Sequence, residues 1–489
     1  MPYLADLEQS GIPTVLLHYH EQRGKIVHDL KLHGIPHLRT VEADRKSPGG
    51  IEEANKVMQP LLDALTRPVT DEEKRGGEWK VKEPRVLFES TLEEAEKFYS
   101  QTENIEGCLN TPFCKYTDGL PIVIPTEERV QEMLKGTTHK PEELITIQKD
   151  ITLGVSDAVR KGVEKKKGDV VQFLPMFRQA TVEQVAVNAV MAGCKPGQFP
   201  VALAIAESGG GTGDGRGGGG AFIISGPIIK ELGLSVTNNI FGQGNPVNKA
   251  LARLGSLLWR NLGGYKETDT TIMTIGSPML NGGMILGEYA EGLPPGWKGL
   301  NEEYGYSKNE SVLMNIPIPH SSNAWGIGQE HMPGVYRSLQ RTGHGAIARY
   351  LGVKGVVGPH NYLEFLCKDM WACREGGFTI AMPPQIAMDM YNYGFKTKQS
   401  IYEFFWKKSF EPMSKYRVRG TPDYRTNGWL GIERTSGKPW KELPDDYMVP
   451  AGGDDPFMSY NLIVFNMEET QTARFTGGHH DAYCIDAWR

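Results

Sequence analysis

The residues of this sequence able to do chemistry are a few carboxylates, histidines and thiols, with two glycine-bearing segments that could hold an anion. Glu288 and Glu291 stand in "GGMILGEYAEGLPPGW" at the end of a strand amid loop residues, where a carboxylate can exchange a proton with a bound molecule. His320 in "PIPHSSNAWG" ends a later strand, but the serines beside it form no catalytic pair, and no GxSxG elbow occurs. Cys108 lies in the loop "EGCLNTPFCKYTDGLP" and is the candidate nucleophile or redox thiol on accessibility grounds. Cys194 follows a helix C-terminus, whose negative dipole end raises a thiol pKa, so a structural role is expected. His18 and His20 alternate on a strand and could ligate a transition metal, although no HExxH or comparable spacing supports them against solvent-facing or core positions. The tail "GGHHDAYCIDAW" offers His479, His480, Asp481 and Cys484, also without a recognised spacing.

The run "ESGGGTGDGRGGGGA" holds nine glycines between Gly209 and Gly220. It contains no lysine, which excludes a Walker P-loop, and it leads into the apolar "AFIIS", a strand where a dinucleotide fold needs a helix. It reads as moving chain, a surface loop or an active-site lid with Arg216 and Asp214 as its polar tools. An anion fits better at "FGQGNPVNK", where Gly242 and Gly244 precede a helix start and Asn245 and Asn248 add donors.

These groups need a scaffold, and the pattern of apolar residues supplies one. "GIPTVLLHYH", a helical stretch and "GIPHLRTVEA" read as βαβ, and "IEEANKVMQPLLDALT" carries an amphipathic stripe that closes a small unit near Thr66. "TVEQVAVNAVMAGC" has Thr181 and Gln184 as a capping box and Gly193 as its stop. In "GNPVNKALARLGSLLWRNLGG", Asn245 is the N-cap and Pro246 the first helical residue. Further strands are expected at "DVVQFLP", "TTIMTIG", "SVLMNIPIP", "FTIAMPP" and "YNLIVFNM", with a helix at "QSIYEFFWKK". The fold class is therefore α/β: a small Rossmann-like N-terminal unit over 1–66, a charged linker over 67–83, a main mixed-sheet domain over 84–385 with the glycine-rich loop, and an α+β extension over 386–489.

At 489 residues the chain exceeds one usual core, and its net charge of −6 offers no basic stripe for nucleic acid. No apolar stretch approaches the roughly 20 residues of a membrane span, and "MPYLADLEQS" lacks the features of a signal peptide. With six sparse cysteines, free thiols and a cytoplasmic location are expected.

"LEQSGIPTVLL", the charged loop after it and "ANKVMQPLLDALT" resemble the distal part of the UGSC family, named for a selenocysteine- or cysteine-Gly-Ser-Cys motif and similar to the substrate-activating subunits of glycine reductase. "DGLPIVIPTEERVQEML", "VAVNAVMAGCKPGQFPVALA", "GPIIKELG", "GNPVNKALARLGSLLWRNLGG" and "GEYAEGLPPGW" resemble a second, uncharacterised family associated with UGSC proteins. Asn188, Cys194, Gly226-Pro227, Asn245, Asn261, Gly263, Gly264, Glu288 and Trp297 match its pattern, none with an assigned catalytic role. The reactive thiol of the UGSC family precedes the helix leading to "GIPTV", and no such motif stands before Gly11 here. Either a partner subunit supplies the reactive cysteine or selenocysteine, or the family's chemistry is lost here, or the work has passed to residues such as His18 and His20.

The leading expectation is thus an oligomeric enzyme, an oxidoreductase or a lyase, that cleaves a carbon–heteroatom bond of a small polar or anionic molecule with that partner's thiol. Glu288 would be its acid or base, and Gly242, Gly244, Asn245, Asn248 and Arg216 would bind substrate. The alternatives are a metal-dependent hydrolase or lyase using His18 and His20, and a non-catalytic scaffold subunit.

Overall fold

The computed structural model describes residues 4, 7–8, 10–20, 23, 26–27, 30, 35–43, 51–71, 73, 85–104, 112–151, 165–174, 176, 178–209, 219–237, 240, 244–265, 284–318, 363, 378–414, 436–439, 442–450, 456–466, 473–476 and 478–489. By the clustering of their contacts these fall into two units, Met1–Phe98 with Lys266–Thr270, and Tyr99–Tyr265 with Thr271–Arg489. The division at Phe98 falls beyond the linker expected at 67–83, and 386–489 belongs to the second unit.

In the first unit β1 (Leu16–Tyr19) and β2 (Thr40–Ala43) pair in parallel, Leu17 against Val41. The helix α1 (Ile51–Thr66) follows, with Pro60 inside it. Arg39 pins the end of α1 to the start of β2. Its guanidinium donates to Glu73 through Nε and Nη2, both at 2.9 Å, and to the carbonyls of Ala64, Arg67 and Pro68. That hydrogen-bonded pairing holds the Glu73 carboxyl down at about 2. A short helix, α2 (Leu92–Tyr99), reaches the division.

The second unit is α/β and layered. After the hairpin β3 (Thr102–Asn104) and β4 (Pro112–Cys114) come α3 (Glu127–Leu134), α4 (Val182–Ala192) and α5 (Phe199–Glu207), then β5 (Gly219–Ser225) and α6 (Ile228–Leu232). The chain continues through α7 (Pro246–Asn261), β6 (Met284–Gly287), α8 (Leu300–Glu303), β7 (Val312–Ile318), β8 (Phe378–Met382), α9 (Pro384–Tyr393) and α10 (Lys398–Lys408). It ends with β9 (Phe410–Pro412), β10 (Met448–Pro450), α11 (Pro456–Ser459), β11 (Tyr460–Val464), β12 (Ala473–Thr476) and β13 (Ala482–Cys484). One mixed sheet has the order β13-β7-β5-β6, with β5 parallel to β6 and antiparallel to β7. A second has the order β11-β8-β12, with β11 parallel to β8.

The period-2 alternation of the strands decides the layering. Phe222 and Ile224 of β5 join Ile285 and Leu313 in a core with α3, α4, α5 and α7. Ala221 and Ile223 point the other way and meet Met284, Met314 and Ile316 of their own sheet together with Ala381 and Ile463 of the second. The two sheets therefore pack face to face. The outer face of the second sheet, Phe378, Ile380 and Leu462, packs on Ile386 and Met390 of α9 and on Ile401 and Phe405 of α10. The result is a helix–sheet–sheet–helix sandwich.

The helix ends follow their local chemistry. Thr181 and Gln184 exchange both capping-box hydrogen bonds at the start of α4, and Gly193 ends it in the left-handed conformation, φ +86°. Asn245 caps α7 by accepting from Val247 N and Asn248 N, with Pro246 next. Gly255 lets α7 lie directly on β5, since a Cβ there would stand 2.6 Å from the Phe222 ring. The expected strand "DVVQFLP" forms only isolated bridges, Thr146 with Val170 and Phe173 with Arg178. The expected "TTIMTIG" lies outside the described residues.

Candidate functional site

Helix α5 is apolar on every face except for its last residue, and all of it is buried. A helix of this kind sits inside the core, so its final turn carries Glu207 into the interior, where it is 2 % exposed. One carboxyl oxygen accepts from Gln148 N at 2.7 Å and the other from Trp488 Nε1 at 2.6 Å. Both donors are neutral. Burial pushes the Glu207 carboxyl up to about 7, and the hydrogen bonds from Gln148 and Trp488 and the charge of Lys165 offset only part of that. The negative end of the α5 dipole acts in the same direction as burial. A carboxyl balanced in this way can take up or release a proton at neutral pH.

Distant segments of chain assemble around it. The stretches 145–151 and 165–173 lie side by side, joined by Ile147 N to Asp169 O and the bridge of Ile151 to Lys165. This brings Lys165 to Asp481 at 2.6 Å and to the Tyr483 hydroxyl at 2.8 Å. Lys149 pairs with Glu310 at 2.6 Å and lies 5.0 Å above the Tyr306 ring. Both ammonium groups keep partial contact with solvent, their side chains 43 % and 40 % exposed for Lys149 and Lys165. Strand β13 holds Tyr483 and Cys484 beside β7, and the turn Ile485–Trp488 delivers the Trp488 indole. Burial raises the Cys484 thiol despite the nearby Lys149, and lowers the His480 imidazole to about 4. Chemically this is a buried carboxyl able to carry a proton, with Lys165, itself paired with Asp481, the cation whose charge acts on it. The glycine run begins two residues after Glu207, and its positions 210–218 lie outside the described residues.

Glu288, the carboxylate expected from sequence to be the acid or base, lies elsewhere in the same unit and is fully enclosed. It follows β6 and accepts from Lys398 Nζ at 2.8 Å, from the Ser225 hydroxyl at 2.7 Å and from Leu300 N at 2.7 Å. Lys398 also reaches Glu303 at 3.1 Å, and Glu303 accepts from the Tyr402 hydroxyl at 3.1 Å. Burial alone would raise Glu303, but Lys398 and His479 overcome it and hold the carboxyl below its ordinary value. Burial alone would lower Lys398, and Glu288 and Glu303 reverse that. His479 stacks on Phe457 at 4.1 Å and donates from Nδ1 to the Phe457 carbonyl. The network ties the end of β6, the start of α8 and α10 together. Glu291 is separate, on the surface and paired with Lys230.

The helix start at Asn245 is built from the residues expected there, but their side chains are engaged within the protein. Asn245 spends its carbonyl on the cap. Asn248 is buried, accepting from Ser235 N and donating to the carbonyls of Ser235 and Ile285. His18 is buried on β1, whereas His20 stands just past the strand, exposed and 2.7 Å from Glu42, so the two do not share an environment. Among the described residues no three His, Cys, Asp or Glu side chains converge on a position for a metal ion. Cys194 is buried, and burial pushes its thiol up to about 12. Of the residues carried by the resemblance, Asn188 and Asn261 meet, Asn261 Nδ2 donating to Asn188 Oδ1 at 2.7 Å, and Trp297 Nε1 donates to the Phe395 carbonyl. Cys108, His320, Arg216 and Gly242 lie outside the described residues.

No family model, no curated protein and no solved structure matches this chain. The site therefore stands on its own geometry. Sequence reasoning passed over Glu207, Lys149, Lys165 and Trp488 because they are up to 339 positions apart. One signal was available: a lone carboxylate closing the all-apolar run "FPVALAIAE" is a charge with nowhere to go but the interior.

Proposed function

We propose that this chain is an enzyme subunit acting on a small polar, anionic molecule, with Glu207 as the acid–base group and Lys149 and Lys165 drawing the anion to the rim. The observation that carries this reading is a buried carboxyl at the end of α5 whose oxygens meet only the neutral donors Gln148 N and Trp488 Nε1, so that burial pushes it up to about 7. The resemblance to UGSC proteins supports a carbon–heteroatom cleavage in which a partner subunit brings the thiolate. Its sulfur forms a bond to carbon as the carbon–heteroatom bond breaks, the heteroatom leaves with the bonding pair, and Glu207 gives it the proton. The cytoplasm, where thiols stay reduced, is the compartment suited to this chemistry. No helix among the described residues is long and apolar enough to cross a membrane.

The test uses the full chain and a panel of small carboxylates and phosphates, first read as ligand-induced shifts in melting temperature and then as turnover with a thiol or partner present. Glu207→Gln keeps one of the two acceptors, and is expected to bind ligand while losing about 100-fold or more in turnover. Unchanged turnover in that variant removes Glu207 from the mechanism, and the absence of any anionic ligand removes the substrate class.

A further inference from the structure

The turn Ile485–Trp488 delivers one of the two donors of Glu207, so whatever fixes this turn fixes that donor. Carbonyls at the end of a helical turn have no partner within it. Here three in succession, those of Ala487, Trp488 and Arg489, accept from the side chains of one short segment. His139 Nε2 donates to Ala487 at 3.0 Å, the Thr137 hydroxyl to Trp488 at 2.6 Å and the Thr138 hydroxyl to Arg489 at 2.6 Å. The segment follows α3 directly, and Thr137 N donates back to the Leu134 carbonyl.

His139 differs from the two threonines in touching the indole itself. Its ring centroid lies 4.7 Å from that of Trp488, with the planes tilted by 47°. A carbonyl only accepts, so the nitrogen facing Ala487 carries a proton. Nδ1 stands 2.8 Å from Glu143 Oε2, and Glu143 is fixed in turn, its other oxygen accepting from Lys140 N at 3.1 Å. The hydrogen bond with His139 holds the Glu143 carboxyl below its ordinary value. With an oxygen at each nitrogen the imidazole is oriented as well as placed. The contacts run from the surface inward: the Glu143 side chain is 42 % exposed and that of His139 20 %, while Trp488 and Glu207 are buried. Resting on the reading of Glu207 as the acid–base group, we infer that His139 is its positioning residue: oriented by Glu143, it holds the Trp488 indole so that Nε1 stays on the Glu207 carboxyl. Any charge on His139 also pulls that carboxyl down, so the test separates position from charge.

Two signals of the full chain, read without substrate, decide this: hydrogen exchange of the Trp488 indole proton, and titration of the Glu207 carboxyl by carbon NMR. In His139→Ala the indole proton is expected to exchange at least about 10-fold faster and the carboxyl to move up by as much as about one pH unit, the effect of losing the donor. His139→Phe, which keeps a ring on the indole but neither nitrogen, should shift both signals the same way by less. His139→Gln keeps an N–H for the Ala487 carbonyl and carries no charge, and should restore the indole protection and most of the carboxyl's position. Thr138→Val removes another bond to the same turn, away from the indole, and should lower the melting temperature while leaving both signals in place. Signals unmoved in His139→Ala and His139→Phe overturn the positioning. So does His139→Gln with a protected indole and a carboxyl as far displaced as in His139→Ala, since charge alone would then be at work. A Thr138→Val variant that moves both signals as far as His139→Ala also overturns it, reducing the effect to the general stability of the turn. Turnover of Glu207→Gln decides the reading of Glu207 separately.

Discussion

Glu207 and Glu288 are both buried carboxylates at the ends of elements in the second unit, and one difference sets their behaviour apart. Glu288 faces the ammonium of Lys398 at 2.8 Å, while Glu207 faces a backbone amide and an indole. A cation within hydrogen-bond reach offsets the cost of burying a carboxylate, and its removal leaves that cost uncompensated. Neutral donors satisfy the oxygens without cancelling the cost of charge, which leaves the proton near its balance point at neutral pH. Burial alone thus does not mark a proton-transfer group. The identity of the donors does.

The contrast is tested most severely by Lys398→Met. It leaves Glu288 and Glu303 facing each other without a cation, and is expected to cost about 3 to 5 kcal/mol, read as a lowered denaturant midpoint. Adding Glu288→Gln should recover part of that loss, since the two changes remove opposite charges. A loss no larger than a surface substitution would show that the lysine is not what holds this cluster.

The next effect is a dependence of stability on pH. Glu207 binds its proton more tightly when folded, about 7 against an ordinary 4.5, so its contribution is fully present below 4.5 and is lost as pH rises to about 7. The size is about 3 kcal/mol. His480 works against it, because an imidazole lowered from 6.5 to about 4 costs stability as pH falls through that window. The difference between wild type and Glu207→Gln isolates the carboxyl: the variant's advantage over wild type should grow between pH 4.5 and 7. Parallel stability curves would place the Glu207 proton elsewhere.

The smallest expected effect concerns the indole. Trp488→Phe removes one donor from the charged form of Glu207, so the carboxyl should move further up, by about one pH unit, as followed by carbon NMR of the labelled side chain. A fall, or no movement, would mean that the Trp488 hydrogen bond does not stabilise the charged form.

Much of the fold was legible where local chemistry decides it. Thr181 with Gln184, Gly193, and Asn245 with Pro246 each fixed a helix end before any tertiary contact was known. The strands at "AFIIS", "SVLMNIPIP", "FTIAMPP" and "YNLIVFNM" stood out as apolar runs bounded by breakers. The face-to-face sheets were not legible, because which side of β5 meets helices and which meets a second sheet depends on partners far along the chain. The all-apolar α5 carried no period, so neither its helicity nor the burial of its terminal Glu207 could be read from spacing. Glu288 was found as a carboxylate at a strand end, but its lysine, 110 positions away, was invisible.

The enclosure of Glu207 has a kinetic side. Its two donors come from Gln148 and Trp488, and strand β13 reaches its place only against β7. Contacts of such long sequence separation are slow to form, so the carboxyl is sealed late in folding. Until then it titrates as an ordinary glutamate. The difference in proton uptake at pH 6 between refolding wild type and Glu207→Gln, in which the proton released by His480 cancels, therefore reports the moment when the far ends of this unit close on each other.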